Sequence, residues 1–298
     1  MNKIGVGIVT FNRQFELKRL YDSLPLDSID TLVIVNDGAE LVDDFYTAII
    51  LQNETNIGVG RSKNKALNFL LSSNVDYIFL IEDDLYIKNK NVLHRYIDTH
   101  KKTGIHHFNY ALHGVLNFTC TGQSNRKLDI IYDNEKLVSL YENCVGAFTF
   151  FTKKCLNEVG LYDDNYFNAL EHVDHTYEII KSGYHPPFWF FADIYDSNKY
   201  IGDDGWSLKQ SVISSNPKAF LNQNNARGYF FFKHRIDLFE IKKESKSLVL
   251  ASLNYINLRY GESSNIEITS HYFFHFVNKF IFKCKYKIIN FLNKLNLK

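Results

Sequence analysis

Strand-like and helix-like segments alternate through the first third of the chain, and this alternation constrains the fold more than any other feature. Short apolar runs rich in β-branched residues occupy residues 4–10, 31–38 and 75–81. The segments 11–24 and 60–72 between them carry apolar residues at helical spacing. Strands that alternate with helices favour a parallel sheet covered on both faces. We therefore predict an α/β protein.

The remainder of the chain is less regular. Residues 105–150 mix short apolar runs with polar breaks, whereas residues 146–160 predict a strand that runs into a helix. Residues 171–183 predict a second helix that also ends at a glycine, and residues 188–194 predict a buried strand. A length of 298 residues fits one large domain, or one domain with an appendage.

Composition excludes several classes of protein. A net charge of +1 predicts no nucleic-acid partner. The cysteines form no CxxC pair, so we expect reduced thiols of a cytosolic protein rather than a zinc site. They are Cys120, Cys144, Cys155 and Cys284. The sequence MNKIGVGIVTFNR does not resemble a signal peptide, and no run reaches about 18 apolar residues, so we predict a cytoplasmic protein with no membrane span.

Three acids follow a buried strand in the sequence FLIEDDLYI, residues 79–87. In an open α/β sheet, ligands bind beyond the carboxyl ends of the strands. Strand alternation would direct Glu82 and Asp84 to one side, about 7 Å apart, and Asp83 to the other. Oxygen ligands suit Mg²⁺ or Mn²⁺. The alternative is an acidic strand end that simply meets solvent.

Five segments in order carry a resemblance to a known family. They are IVTFNR (8–13), VIVNDG (33–38), NIGVGRSKNKAL (56–67), LIEDDLYI (80–87) and the stretch 145–177, which includes LEHVDHTY. The chain resembles the nucleotide-sugar glycosyltransferases of the GT-A fold, specifically the family-2 group of inverting enzymes. The match extends from residue 4 to about residue 235.

The resemblance implies a Rossmann-like mixed sheet, mainly parallel and flanked by helices. It places a glycosyltransferase domain at 1–235, with a nucleotide-sugar half at about 1–100 and an acceptor half at about 101–235. Residues 236–298 are then expected to form a helical C-terminal extension with a basic amphipathic tail.

The resemblance also implies a donor site. Asp37 is expected to accept a hydrogen bond from the base, which is uracil if the donor is a UDP-sugar, and Asn56 and Gly58 to shape a turn near the ribose and phosphates. Lys63 stands where the family usually has arginine, so the positive charge is kept but a bidentate contact is lost. The other expected nucleotide-sugar residues are Thr10, Phe11, Asn12, Asn64 and Asp83. The alternative for residues 60–67 is a surface helix with a basic face.

The acidic segment matches the metal-binding DxD element of the family. Asp84 is the expected direct ligand of Mn²⁺ or Mg²⁺, with Glu82 assisting, and His234 is a further candidate because some relatives use a histidine. The metal would stabilise the leaving diphosphate. A histidine beside an aromatic run also fits a structural role.

An inverting transfer needs a base for the acceptor hydroxyl. Helical spacing puts Glu171 and Asp174 on one face of the 171–183 helix. The family usually has Glu-Asp where this chain has Glu171–His172, so we take Glu171 as first choice, Asp174 as second and His172 as third. Acids in a first helical turn also fit a simple interaction with the helix dipole.

The last 29 residues have no Asp or Glu and six lysines. Apolar residues recur every three or four positions from Phe273 to Leu295, with lysines beside them. This pattern favours a helix that lies in a membrane interface, and a helix packed on the main domain is the alternative.

Together these features predict a transferase that moves a sugar from a nucleotide-diphosphate sugar, UDP-linked by preference, to a glycan or lipid-linked acceptor in surface polysaccharide or lipopolysaccharide synthesis. We expect a hexosyl- or N-acetylhexosaminyl-transferase at the cytoplasmic face of the inner membrane, bound through residues 270–298 to an anionic surface. The alternatives are a glycan-binding relative with impaired catalysis and a sugar nucleotidyltransferase. The second lacks support because IVTFNR has no glycine-rich loop.

Overall fold

The computed structural model describes residues 2–203 and 219–270, with the backbone alone for residues 219 and 220. The strands are β1 (Ile4–Thr10), β2 (Thr31–Asn36), β3 (Ile49–Gln52), β4 (Tyr77–Glu82), β5 (Leu85–Ile87), β6 (His107–Asn109), β7 (Leu128–Tyr132), β8 (Glu135–Tyr141), β9 (Phe148–Thr152), β10 (Phe191–Ile194), β11 (Ile201–Asp203) and β12 (Ile266–Ser270). The α-helices are α1 (Gln14–Ser23), α2 (Val59–Ser72), α3 (Val92–Thr103), α4 (Lys153–Val159), α5 (Glu171–Lys181), α6 (Ala219–His234) and α7 (Lys246–Tyr260).

The largest sheet is mixed and has the strand order β3-β2-β1-β4-β9-β6. The first four strands are parallel, whereas β9 runs antiparallel to β4 and to β6. The predicted α/β class with a mainly parallel sheet is therefore confirmed. Strand β3 was not predicted, because it is four residues long at the sheet edge and its Ile49 and Ile50 are exposed.

Two glycines in β1 allow α2 to approach the sheet closely. A Cβ atom at Gly7 would lie 3.0 Å from the Cβ of Ala66 and 2.8 Å from a methyl of Leu80, and one at Gly5 would lie 2.9 Å from Leu70. Glycine in a strand often marks such an approach of another element. The sequence IGVG thus fixes how near α2 lies to the centre of the sheet.

Apolar side chains cover both faces of this sheet. On one face Ile8 packs with Leu17 of α1, and on the other Val35 packs with Leu67 of α2. All four side chains are fully buried. Burial of one such side chain contributes about 1.5–3 kcal/mol to the stability of the fold. The packed faces of the sheet therefore hold the ends of its strands in place.

The C-terminal part of the described chain belongs to a second, antiparallel sheet with the order β10-β8-β7-β12. Strand β12 pairs with β7 over 128–132, and α7 packs near α3, where Asn257 donates to the carbonyl of Lys102 at 2.7 Å. The stretch expected to be a helical extension therefore contains a strand as well as a helix. The predicted boundary near residue 235 stays a prediction.

The predicted strand 188–194 is shorter than expected. It begins only at Phe191, because Trp189 has a positive φ of 70° and donates from Nε1 to the carbonyl of Ile241 at 2.7 Å. The basic tail at 271–298 lies outside the described residues. Among the helices that are described, none is long and apolar enough to cross a membrane.

Candidate active site

A cleft of about 960 Å³ opens at the carboxyl ends of β1, β2 and β4. It contains the acidic turn after β4 and the first turn of α5, which the sequence placed in separate halves. The predicted site residues that line it are Thr10, Phe11, Asp37, Asn56, Glu82, Asp83, Asp84, Glu171 and His172. An open α/β sheet binds ligands at the carboxyl ends of its strands, which is where this cleft lies.

Arg13 contacts both aspartates of the acidic turn. Its guanidinium lies 3.1 Å from Oδ1 of Asp83 and 3.0 Å from Oδ2 of Asp84, and Thr10 Oγ1 donates to Asp83 at 2.7 Å. The alternation predicted for the three acids is wrong here, because β4 ends at Glu82 and the next two residues form a turn. Asp83 and Asp84 therefore share one cation.

Burial raises the pKa of both aspartates in the acidic turn. Burial raises the pKa of Asp83 to about 7, although Arg13 and Thr10 act in the opposite direction. Burial also raises the pKa of Asp84, against the attraction of His113 and Arg13. Oδ1 of Asp84 is buried and has no hydrogen-bond partner among the described residues. A buried carboxylate oxygen of this kind favours the binding of a further cation.

A buried ammonium joins the two halves of the site. Lys63 Nζ lies 2.7 Å from Glu82 and 3.5 Å from Glu171, and it donates to the carbonyl of Gly146 at 3.0 Å. Burial disfavours the charge on Lys63, but the two carboxylates outweigh it and raise the pKa of the lysine. Burial likewise raises the pKa of Glu82, but Lys63 outweighs it and lowers the value overall.

The helix α5 begins with a carboxylate–imidazole pair. Glu171 is buried and its Oε1 lies 3.1 Å from Nδ1 of His172, whose side chain is 25% exposed and lines the cleft. Burial raises the pKa of Glu171, yet the neighbours His172 and Lys63 outweigh burial and hold it well below its usual range. Glu171 is thus an ionised, fully engaged carboxylate.

The other predicted residues of α5 and α6 lie elsewhere. Asp174 is 1% exposed and accepts from Tyr166 at 2.9 Å, from Lys233 at 2.7 Å and from His234 Nε2 at 2.6 Å. Neither Asp174 nor His234 lines the cleft. Asp174 and His234 therefore contact each other between α5 and α6, and His234 does not reach the acidic turn after β4. Helical spacing alone could not distinguish the two faces of α5.

The turn at residues 56–58 is shaped largely by Asp37. Its carboxylate accepts backbone N–H groups from Ile57 at 2.9 Å and Gly58 at 3.0 Å, and the side-chain amide of Asn53 at 2.8 Å. Asn56 closes the same turn by accepting from Gly58 at 3.0 Å. Asp37 faces the cleft, so its place at the nucleotide remains a prediction beside this observed structural role.

Gly58 and two asparagines hold the backbone around the cleft. Gly58 has a φ of 91°, and a Cβ there would lie 2.8 Å from the ring of Phe167. Asn12, with a φ of 56°, accepts from the backbone N–H of Ala39 at 2.8 Å. Asn64 donates to the carbonyl of Tyr162 at 2.8 Å and ties α2 to the segment between α4 and α5. Asn12, Gly58, Lys63 and Asn64 are not among the cleft-lining residues and support those that are.

His113 is a cleft residue that sequence reasoning missed. Its Nδ1 lies 2.9 Å from Asp203 on β11. Burial lowers its pKa, but Asp203 and the negative charges of Asp84 and Glu82 outweigh burial and raise the pKa to about 9. The segment ALHGVLN carries no motif, so only the fold brings this histidine to the acids.

The outer wall of the cleft comes from α6 and the short turn after it. Phe239 is an exposed aromatic residue of that turn, and Arg227 lies over its ring at 4.7 Å while it pairs with Asp237 at 2.6 Å. Phe167, in the segment before α5, adds a second exposed aromatic residue to the cleft. Amide side chains accompany them at Asn222, Gln223 and Asn224. Aromatic faces beside amides are suited to sugar rings and their hydroxyl groups.

The acidic turn suits a divalent ion that is shared with a substrate. Among the described residues, no three His, Cys, Asp or Glu side chains are grouped to hold a metal by themselves. A hard cation such as Mg²⁺ is, however, often bound by one or two carboxylates and substrate phosphates. The unpartnered Oδ1 of Asp84 offers one such ligand at the cleft wall. The residues therefore fit an ion that arrives with a diphosphate.

Comparison with known proteins places the fold. No protein-family model matches the chain. A protein of Acanthamoeba polyphaga mimivirus, named as the uncharacterized glycosyltransferase R363, is 25% identical over 228 residues, which cover 71% of this chain and 85% of the relative.

Solved structures provide the second comparison. GalNAc-T7 with UDP, GalNAc and Mn²⁺ matches with a TM-score of 0.50 and 12% identity, over 87% of this chain and 58% of that one. TarS of S. aureus in complex with UDP matches with a TM-score of 0.49 and 14% identity, over 86% and 72% of the two chains. The match to GalNAc-T7 confirms the predicted GT-A fold of nucleotide-sugar glycosyltransferases, and the chain resembles a named glycosyltransferase in sequence, whereas the family-2 and inverting parts of the recognition stay predictions.

Proposed function

We propose that this protein is a metal-dependent, inverting glycosyltransferase that uses a nucleotide-diphosphate sugar, preferably a UDP-sugar. One observation carries the proposal: a single cleft is lined both by the acidic turn Glu82–Asp84 and by the Glu171–His172 pair. The first suits a diphosphate with its cation, and the second suits an acceptor hydroxyl. The UDP and Mn²⁺ bound to GalNAc-T7 agree with this choice of donor and ion.

The transfer balances as one displacement. The acceptor oxygen forms a bond to the anomeric carbon while the bond from that carbon to the diphosphate oxygen breaks, and its electron pair leaves with the diphosphate. The proton of the acceptor hydroxyl passes to a base in the first turn of α5. Attack from the face opposite the leaving group inverts the anomeric centre, and such in-line geometry needs the base and the acidic turn at two sides of one cleft.

Asp84 and, beside it, Asp83 would hold the Mn²⁺ or Mg²⁺ ion, with Glu82 as an assisting residue. When bound, the ion supplies Lewis-acid stabilisation of the leaving diphosphate. Arg13 contributes a second positive charge next to the same oxygens, since it already contacts both aspartates at about 3 Å. Thr10 orients Asp83 through its hydroxyl.

The nucleotide is proposed to lie along β1 and β2. Phe11, Asp37 and Asn56 line this end of the cleft. Asp37 uses its oxygens to hold the 56–58 turn, and we propose that its remaining lone pair accepts the N–H of the base. The aromatic and amide wall at α6 is then left for the acceptor.

The acceptor is proposed to be a glycan or a lipid-linked glycan in surface polysaccharide or lipopolysaccharide synthesis, reached at the cytoplasmic face of a membrane. The sequence after Ser270 contains lysines but no acidic residues, which supports this proposal. Basic residues beside an apolar stripe favour binding to an anionic membrane surface. Each lysine near such a surface contributes about 1 kcal/mol.

A donor panel tests the proposed function. The full-length protein is incubated with UDP-, GDP- and other nucleotide sugars, with and without Mn²⁺, and release of the nucleoside diphosphate is measured. We expect release from at least one donor and at least a tenfold stimulation by Mn²⁺. No release from any donor, with or without an acceptor extract, would contradict the proposal.

A further inference from the structure

We infer that His172 is the catalytic base of this chain and that Glu171 positions it, so that neither Glu171 nor Asp174 takes the proton from the acceptor. This inference rests on the proposed function, since it concerns the acceptor step of that transfer. It is specific to this sequence, in which a histidine follows the glutamate at the start of α5.

Glu171 is poorly suited to receive a proton. It is only 3% exposed, and it lies beside the ammonium of Lys63 and the imidazole of His172. A carboxylate held in its charged form by a neighbouring ammonium and by a hydrogen bond from an imidazole N–H is a weak base. Its buried position also leaves little surface for an acceptor hydroxyl to reach.

Asp174 is enclosed on every side that the structure describes. Its two oxygens accept from a tyrosine, a lysine and a histidine, and it does not line the cleft. An acceptor could reach it only if α6 moved away from α5. The carboxylates of α5 that helical spacing suggested are therefore both occupied.

His172 has the geometry of an oriented base. It lines the cleft, and its Nδ1 lies 3.1 Å from Glu171. An ionised carboxylate can only accept a hydrogen bond, so Nδ1 carries the proton and Nε2 keeps its lone pair. A third group that orients a base in this way is common to nucleophilic and general-base catalysis.

Gly146 makes room for this imidazole. A Cβ atom at position 146 would lie 2.9 Å from Cγ and 3.0 Å from Nδ1 of His172. The carbonyl of Gly146 accepts from Lys63 at 3.0 Å. One buried lysine therefore fixes both the carboxylate that orients the ring and the backbone against which the ring lies.

The proposed step moves one proton. Nε2 of His172 takes the proton of the acceptor hydroxyl as its oxygen bonds to the anomeric carbon, and the diphosphate leaves with the electron pair of the broken bond. The imidazolium that results lies beside the Glu171 carboxylate, which stabilises the charge. After the glycan product leaves, the ring returns the proton to water.

Imidazole rescue tests the inference. His172→Ala should lower kcat at least 100-fold with the donor that the panel identifies, while the donor KM changes less than threefold, because general-base catalysis contributes about 10²–10⁴-fold. Added imidazole, which can enter the space beside Gly146, should raise the rate of His172→Ala at least tenfold. The exposed His94 of α3 supplies the control His94→Ala, whose rate should equal the wild type with or without imidazole.

The possible outcomes are distinct. A His172→Ala protein that keeps more than a third of wild-type kcat, or one that is slow but not rescued, overturns the inference and leaves the proposed function standing. If circular dichroism shows that His172→Ala does not fold, His172→Gln is measured instead. Its kcat is then judged against the wild type by the same limits. A wild type that consumes no donor overturns the proposed function and the inference with it.

Discussion

At the scale of single residues, Asp84 differs from its neighbours because one of its buried oxygens lacks a partner in the described chain. We predict that Asp84→Asn abolishes donor turnover and removes the rise in melting temperature that Mn²⁺ gives in the presence of UDP, since a ligand that binds only the folded state must stabilise it. Differential scanning fluorimetry measures the second effect without any need for activity.

The exposed Asp98 of α3 provides the matched substitution for this prediction. Asp98→Asn should keep both the turnover and the Mn²⁺ effect. An Asp84→Asn protein whose melting temperature still rises with Mn²⁺ and UDP would remove Asp84 from the metal site.

Lys63 is the residue whose loss we expect to destabilise the fold most directly. Lys63→Met leaves the buried Glu171 and the half-buried Glu82 without their cation, and breaking a buried ion pair from one side costs about 3–5 kcal/mol. Urea unfolding measures the change in the free energy of unfolding. Lys101→Met, at an exposed position of α3, should change it by less than about 0.5 kcal/mol.

A triple replacement separates charge from packing. If Lys63→Met is combined with Glu82→Gln and Glu171→Gln, the buried charges disappear together and much of the lost stability should return. Equal destabilisation of the single and the triple variant would mean that the lysine acts through packing alone.

At the scale of elements, a group of buried histidines links α3, β6 and the segment before β10. Burial lowers the pKa of His100 to about 4 and that of His106 to about 3, and His106 Nδ1 lies 2.6 Å from Thr152 Oγ1. These folded-state values lie below the unfolded value of about 6.5. The stability that they contribute is therefore present above about pH 6.5 and is lost as the pH falls towards 4.

We predict that His106→Asn reduces the pH dependence of stability between pH 4 and 6. Each such histidine contributes a slope of about 1.4 kcal/mol per pH unit, because the unfolded chain binds one more proton than the folded one. Urea unfolding at several pH values gives the slope for the wild type and the variant. The same slope in both, or a change in slope for His94→Asn, would contradict the assignment.

The contact between β1 and α2 allows a second prediction at this scale. Gly7→Ala places a Cβ atom 3.0 Å from that of Ala66, and overpacking of this kind costs about 1–3 kcal/mol. Gly228→Ala in α6, where no atom lies within 4 Å of the added carbon, should instead stabilise the protein by about 0.5–1 kcal/mol. Thermal or urea unfolding of the two variants checks the opposite signs.

The sequence patterns predicted some of the strands and helices and missed others. The strands β1, β2 and β4 and the helices α2 and α5 were found, because each is long enough for its apolar period to be legible. Strand β3 was not, since four half-exposed residues at an edge have no such period. The turn after β4 also escaped prediction, because a strand end changes the direction of Asp83 and Asp84 without changing their residue types.

At the scale of the whole molecule, the order of the five segments was enough to predict the GT-A fold. What the sequence could not supply was the pairing of distant side chains. Asp174 and His234 were expected at the reaction centre, yet they meet each other at the α5–α6 contact, 60 residues apart in sequence. Lys63 with Glu171, 108 residues apart, and His113 with Asp203, 90 residues apart, are further pairs that only the folded chain reveals.

The last prediction concerns the basic tail, residues 271–298, which follows β12 in the sequence. Full-length protein should float with vesicles that contain anionic phospholipid, and deletion of residues 271–298 should lower the bound fraction at least tenfold, because the apolar stripe and the lysines act together. Vesicles of phosphatidylcholine alone serve as the comparison and should retain little protein. Undiminished flotation of the truncated chain would exclude the tail as the membrane anchor.

The ammonium that Lys63 buries between two acids also limits how this protein can evolve. Loss of either glutamate still leaves the ammonium one carboxylate partner, whereas loss of the lysine leaves both acids without their cation. Among descendants of this sequence, a lineage that loses Lys63 should therefore show compensating replacements at positions 82 and 171.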